Sequence, residues 1–382
     1  MTLRVLSVPV FALVFAGCGV PTANTDSASA SGGGTTTGGG STSTGAATDS
    51  TSGGGGTETQ GTTEEPGSSS SSSSSTTSDE TTGTTADDTT GGESTSTGDD
   101  TTGELIDCAA LPQGPLPYTI KLGPKASEDL AFDDVGNLIG VQEGNLFKSP
   151  FDGDPSLWIP GAGGFVAGLR MTAKGVLVYS DSSASTIYRV DPGTDFKVMV
   201  LSGLEYANGL EVDLDGYLYA AEQSGARVRR IDPATGEFTI LAEGLNNPNG
   251  LSFSPDYRTL YVGSFGGGTI TSIHLKEDMT AESVAPFVTG IGGGALDGMA
   301  VDACGNVYVC EFGPATIWRI TPDGASVMPL VELGGDTGWI PNMQWGSGIG
   351  GWDKDTLYVL DFGATRLFAV PLGVGDKPRA YP

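Results

Sequence analysis

Four side chains able to ligate a hard cation recur at one phase of a repeating pattern. Glu128, Asn208, Asn249 and Asp297 open the stretches Glu128-Asp-Leu-Ala-Phe-Asp, Asn208-Gly-Leu-Glu-Val-Asp, Asn249-Gly-Leu-Ser-Phe-Ser and Asp297-Gly-Met-Ala-Val-Asp. Two further stretches, Ala167-Gly-Leu-Arg-Met-Thr and Asn342-Met-Gln-Trp-Gly, complete a set of six. Two carboxylates and two amide oxygens converging on one point would form an all-oxygen cup. Such a cup suits a divalent cation, calcium first, with magnesium, manganese or zinc as other occupants. Asn-Gly and Asp-Gly are also ordinary turn pairs, because Asn and Asp tolerate left-handed backbone. Any one of them alone reads as a turn, whereas four oxygen ligands at one phase favour a site. Ala167 shows that the local backbone does not require an oxygen-bearing side chain there.

The elements that would position these residues follow from the spacing. Successive copies start 39, 41, 41, 48 and 45 residues apart. Short strands at a period near 40 to 48 are the signature of a β-propeller. One unit reads as four strands: Leu210-Glu-Val-Asp-Leu, Tyr217-Leu-Tyr-Ala-Ala, Arg227-Val-Arg-Arg-Ile and Glu237-Phe-Thr-Ile-Leu. Asp213-Leu-Asp-Gly216 and Pro233-Ala-Thr-Gly236 supply turns between them. The last unit holds only three strands, so Tyr118–Leu122 is expected to add the fourth and close the ring, removing an open edge. The fold class is therefore all-β, a six-bladed propeller over residues 108–382. Glu128, Asn208, Asn249, Asp297 and Asn342 then face one central mouth. Asp181, Glu222, Glu311 and Asp361 end second strands at the same rim, as outer supports of the ring or as turn caps.

The remaining composition bounds location and partners. Residues 1–17 carry Arg4 and an apolar run from Val5 to Ala16, too short to span a membrane and suited to an export signal. Phe15-Ala-Gly-Cys18 resembles a bacterial lipoprotein lipobox, with Phe15 where Leu is usual. That resemblance implies cleavage before Cys18 and its lipidation, an ordinary signal peptide being the alternative. With Gly19 following, an exported chain anchored to the cell envelope at the outer membrane is expected. Residues 18–107 are Ser, Thr and Gly with 14 acids from Pro21 to Asp107 and no Lys or Arg. So little apolar surface cannot offset ordering entropy, and a disordered tether is expected. Residues 108–382 hold 32 acids against 17 bases, which disfavours nucleic acid and favours cation binding by a monomer. Cys108, Cys304 and Cys310 leave two readings open, a Cys108–Cys304 bond or three free thiols.

Pro248-Asn-Gly-Leu-Ser-Phe-Ser-Pro-Asp-Tyr-Arg-Thr-Leu-Tyr-Val and Asp297-Gly-Met-Ala-Val-Asp-Ala-Cys-Gly-Asn-Val-Tyr-Val resemble the regucalcin–gluconolactonase family, also known from senescence marker protein. The resemblance covers roughly residues 120 to 372. It implies one divalent metal at the mouth, held by Glu128, Asn249 and Asp297 with Asn208 beside it. It further implies a metal that polarises a lactone carbonyl, and Asp297 as the catalytic base. Asn208, Tyr206 and Asn342 are expected to contact a small-molecule substrate. Tyr206 stands where sugar-lactone-cleaving members have Arg, and Leu130 where the first-blade motif has Pro, so a sugar lactone is not implied. The expectation is a membrane-tethered, metal-dependent hydrolase of a lactone or related ester. The alternative is a non-catalytic binding propeller displayed at the cell surface. His274 is the sole histidine and reads as structural, which argues against a Ser–His–Asp triad and against propeller lyases. Trp339, Trp345 and Trp352 flank Asn342 and are expected to pack between blades, or one of them to line the mouth.

Overall fold

The computed structural model describes residues 106–124 and 127–379. The expected leader, Cys18 and the tether up to residue 105 lie outside the described residues. The described chain forms 24 strands in six four-stranded antiparallel sheets. After β1 (Thr119–Leu122), blade one is β2 (Ala131–Phe132), β3 (Asn137–Gln142), β4 (Asn145–Pro150) and β5 (Ser156–Ile159). Blade two is β6 (Val166–Met171), β7 (Leu177–Asp181), β8 (Thr186–Val190) and β9 (Val198–Ser202). Blade three is β10 (Ala207–Val212), β11 (Leu218–Glu222), β12 (Arg227–Ile231) and β13 (Phe238–Glu243). Blade four is β14 (Pro248–Phe253), β15 (Thr259–Ser264), β16 (Thr269–Leu275) and β17 (Ala281–Thr289). Blade five is β18 (Leu296–Val301), β19 (Val307–Glu311), β20 (Thr316–Ile320) and β21 (Val327–Glu332). Blade six joins β22 (Met343–Trp345), β23 (Thr356–Leu360) and β24 (Arg366–Pro371) to β1, in the order β1-β24-β23-β22. Thr119 pairs with Ala369 and Leu122 with Arg366, so the expected closure by an N-terminal strand is what the chain forms.

Local chemistry sets the first hairpin of each blade. Asp213 accepts from the amides of Asp215 (3.1 Å) and Tyr217 (2.9 Å), and Asp302 from those of Cys304 (2.9 Å) and Asn306 (2.8 Å). These carboxylates satisfy turn N–H groups that no strand partner reaches. The inner strands β10, β14 and β18 are buried at every residue. Apolar burial is distributed over six seams, one between each pair of neighbouring blades. In the seam that closes the circle, Leu130, Phe132 and Leu138 of blade one pack on Trp352, Tyr358, Leu360 and Leu367 of blade six. Each fully buried Leu or Phe contributes about 1.5–3 kcal/mol, so the seams hold the ring together.

Cys108 and Cys304 are bonded, with Cα atoms 5.6 Å apart, and Cys310 is a buried free thiol. The bond fastens the segment before β1 to the β18–β19 turn. The C-terminal segment returns across the end of the ring reached by the β18–β19 turn, where the Lys377 amide donates to the Val301 carbonyl (3.1 Å) and Ala303 to Gly375 (3.0 Å).

Candidate metal centre

Asn208, Asn249 and Asp297 sit inside their first strands, at a β-bulge, whereas Glu128 lies before β2 and Asn342 directly before β22. In β10 the register runs from Ala207 opposite Glu222 to Leu210 opposite Ala220, so Asn208-Gly209 contains one extra residue. The same shift falls at Ala167-Gly168, Asn249-Gly250 and Asp297-Gly298. A bulge re-aims the side chain it carries, here out of the normal strand alternation. The glycine that follows is a consequence of the blades meeting at the axis. A Cβ on Gly209 would lie 2.0 Å from the Asn249 carbonyl oxygen, and one on Gly250 2.1 Å from that of Asp297. Gly168 meets the Asn208 carbonyl oxygen in the same way, and Gly298 the Asn342 side chain and Cα. The Asn-Gly and Asp-Gly pairs are therefore close-approach positions, not turns, and they put each ring residue against the next.

Glu128, Asn208, Asn249, Asp297 and Asn342 are all buried. Burial, then the charge of Asp129, pushes the Glu128 carboxyl up to about 8. Burial, then the charges of Glu128 and Asp129, pushes Asp297 well above the usual carboxylate range, opposed by the Asn249 amide. The Tyr206 phenol is raised by burial and by both Glu128 and Asp297, so it stands near the pair. Burial, then Asp297 and Asp129, also raises Cys310, which remains a protonated packing group.

Asp129 has a different fate, and the sequence reading missed it. Its carboxylate takes the Arg170 guanidinium at 2.6 Å and the Leu130 and Leu169 amides at 2.8 Å each. Burial still outweighs these partners, leaving the group at about 6. Arg170 also lies 3.9 Å from Glu211, and Glu211 takes the buried Lys377 ammonium at 3.2 Å. Lys377 donates as well to Ser252 at 3.1 Å. Arg170, Glu211 and Ser252 occupy one phase, three residues after the ring positions. That signal was readable; the arrival of Lys377 from the tail was not.

The chemistry of the donor set fits a divalent cation. Glu128 and Asp297 are buried acids with no ion-pair partner among the described residues, and an amide oxygen source, Asn249, adjoins them. Buried anions without a counter-charge are costly, and a bound cation removes that cost. Among the described residues no three His, Cys, Asp or Glu side chains form a metal-holding group by themselves. A cation here would thus depend on the amides Asn249 and Asn208 alongside the two acids. Asn342 is less free, since its Oδ1 accepts from the Met343 amide at 2.9 Å.

The acids that end the second strands are caps of the rim loops. Asp181 accepts from the amides of Gly164 (3.2 Å) and Phe165 (3.3 Å), and Glu222 from that of Glu205 (2.7 Å). Glu311 accepts from Gly293, and Asp361 from the Thr337 hydroxyl at 2.7 Å. Trp345 and Trp352 are buried in blade seams, while Trp339 is 51% exposed at the rim. His274 lies in the third strand of blade four, 3.1 Å from the Thr259 hydroxyl.

Residues 218–362 match the family model described as the SMP-30/Gluconolactonase/LRE-like region. No curated protein matches the chain. A gluconolactonase from Xanthomonas campestris superposes with a TM-score of 0.56 at 20% identity, over 68% of this chain and 98% of that one. A calcium-binding regucalcin from Agrobacterium tumefaciens gives 0.55 at 19%, over 70% and 97%. Virginiamycin B lyase from Staphylococcus aureus gives 0.51 at 14%, over 67% and 100%. At these identities the likeness is one of fold. The chain is a six-bladed β-propeller, and its residues 218–362 are similar to the SMP-30/Gluconolactonase/LRE-like region.

Proposed function

We propose that this chain is a divalent-metal-dependent hydrolase of a lactone or related ester. The observation that carries the reading is the pair Glu128 and Asp297, buried at the axis beside Asn249 with no cationic side chain engaged by either among the described residues. Glu128, Asn249, Asp297 and Asn208 would hold the cation, calcium first. Once bound, it would polarise a carbonyl oxygen and ease the loss of a proton from water. Asp297 would take that proton as the water oxygen bonds to the acyl carbon. The carbon–alkoxide bond breaks, and the proton passes to the departing oxygen, leaving a carboxylic acid and a hydroxyl group. Tyr206 and Asn208 border the substrate, and Arg170 holds Asp129 in place below. The similarity of residues 218–362 to the gluconolactonase-type region supports the reaction class.

A panel of lactones and esters assayed with calcium and with EDTA tests this. Turnover lost in EDTA and lowered about 10²–10⁴-fold in Asp297→Ala is the expected result. Metal-independent turnover, or turnover indifferent to Asp297→Ala, would contradict it. A second reading is a binding propeller without catalysis, which the resemblance of fold alone allows equally. It expects cation and ligand binding with no substrate cleaved.

We further take residues 1–17 as an export leader, Cys18 as lipidated at the outer membrane and 18–107 as a tether. The Cys108–Cys304 bond supports export, since such bonds persist in oxidising compartments. Labelled palmitate should enter the chain and be lost in Cys18→Ser; equal labelling of both would overturn the anchor.

A further inference from the structure

Aromatic side chains line the mouth above the acid pair. Phe165 and Tyr206 stand two residues before the ring positions of blades two and three, and Trp339 three before Asn342. Phe265 and Phe312 directly follow the second strands of blades four and five, and Phe362 lies two residues past that of blade six. Backbone bonds bind the two series into one rim. Gln223 donates to Tyr206 (3.0 Å), Phe265 to Asn247 (2.9 Å), Phe312 to Ala295 (2.9 Å) and Phe362 to Trp339 (3.2 Å). The rings gather into two walls. Phe165 stacks on Tyr206 with centroids 6.3 Å apart and planes at 23°. On blades five and six, across the six-fold circle, Phe312 stacks on Trp339 at 6.2 Å and 16°. Phe265 at 5.9 Å and Phe362 at 6.2 Å buttress Phe312.

These rings are not core that happens to lie near the surface. Trp339 is 51% and Tyr206 38% exposed, around a polar centre. Tyr206 holds a left-handed φ of 58°, which so bulky a residue rarely adopts and which collects at ligand sites. The loops are fixed in advance. Asp181 caps the Phe165 loop, Glu222 the Tyr206 loop, and Asp361 binds Thr337, whose hydroxyl takes the Trp339 amide at 3.3 Å. The arginines on this rim are engaged, Arg227 by Glu222 and Glu205, and Arg366 by Asp361. A site that presents flat apolar faces around a few convergent polar groups selects a ligand with a flat apolar part.

We infer that the rim is a specificity element for an aryl or comparably planar hydrocarbon group. The group lies between the Phe165–Tyr206 and Phe312–Trp339 walls, attached to the ester or lactone that meets Asp297. This rests on the hydrolase reading for the bond cleaved, but not for the binding.

Two arms separate the claims, using the full-length calcium-loaded protein. The first compares kcat/KM for γ-phenyl-γ-butyrolactone and unsubstituted γ-butyrolactone. The second measures, by calorimetry, binding of 3-phenylcyclopentanone and cyclopentanone, ketones that cannot be hydrolysed. The phenyl compounds are expected to be favoured about tenfold or more in both arms. Trp339→Ala should cut the preference to within about threefold, and Trp339→Phe should keep most of it. Phenyl-selective ketone binding without cleavage of either lactone would sustain the aromatic rim and overturn the hydrolase reading. Equal cleavage of both lactones, or a preference unmoved by Trp339→Ala, would overturn the rim and leave the hydrolase standing. Failure of both arms would overturn both.

Discussion

At Glu128 the ordinary carboxyl titrates near 4.5 and the folded one near 8. A folded acid with a raised value holds its proton more tightly than the unfolded chain does. Its stabilising contribution is complete below about 4.5 and is lost as pH rises through about 8. The cation-free protein should therefore lose melting temperature across that window, and Glu128→Gln should flatten the loss. A calcium ion bound as proposed would displace the same protons, so its affinity should rise with pH over the window and its binding should release protons. Calorimetry in two buffers of different ionisation enthalpy reads this directly; pH-independent binding without proton release would contradict it. Asp297→Asn removes a buried carboxyl whose deprotonation its surroundings oppose, and should lessen the stability the cation-free protein loses as pH rises. The identity of these two acids was legible in the sequence because they share a phase. The division of labour between Glu128 and Asp129 was not. Only the fold brings Arg170 to Asp129 and leaves Glu128 without an ion-pair partner among the described residues.

The bulge re-aims the ring residues of blades three, four and five. Strand direction predicts that the residue before an inner strand faces the mouth, and Glu128 and Asn342 do precede their strands; Asn208, Asn249 and Asp297 lie within theirs, re-aimed by one inserted position. The pattern was read correctly in phase and incorrectly in mechanism, because Asn-Gly has the same composition in a turn and in a bulge. Its glycine distinguishes the two. Gly250→Ala would drive a methyl to 2.1 Å from the Asp297 carbonyl oxygen. A cost of about 1–3 kcal/mol is expected in urea unfolding, with weakened calcium binding as the blades separate. If Gly250→Ala leaves both unchanged, the close approach is not a constraint. The acids at the ends of the second strands read equally well as supports of the ring or as caps. Their hydrogen bonds run to loop amides and to the Thr337 hydroxyl, and this makes them caps.

Across the whole molecule, six apolar seams and one disulfide resist opening of the ring. The period and the three-stranded last unit made both the blade count and the closing strand legible. Pairing of Cys108 with Cys304 was not, since it depends on where the N-terminal segment crosses blade five. The bond joins residues 196 apart. Cys108→Ser should cost about 2–5 kcal/mol, read as a lower urea midpoint with the calcium response preserved. A lost calcium response would mean that the bond shapes the site as well as the frame. The tail contributes from the far end of the axis, where Lys377 neutralises Glu211 and so frees Arg170 for Asp129. The central claim is that Glu128 and Asp297 form a cation site, and thermal melting in EDTA and in calcium, with Asp297→Asn beside the parent, tests it most directly. At calcium about 100 times its dissociation constant, the ligand adds about 2.7 kcal/mol, a rise of roughly 5–10 °C. That rise is expected in the parent and not in Asp297→Asn. No rise with calcium, magnesium, manganese or zinc, or an equal rise in both proteins, would contradict the account.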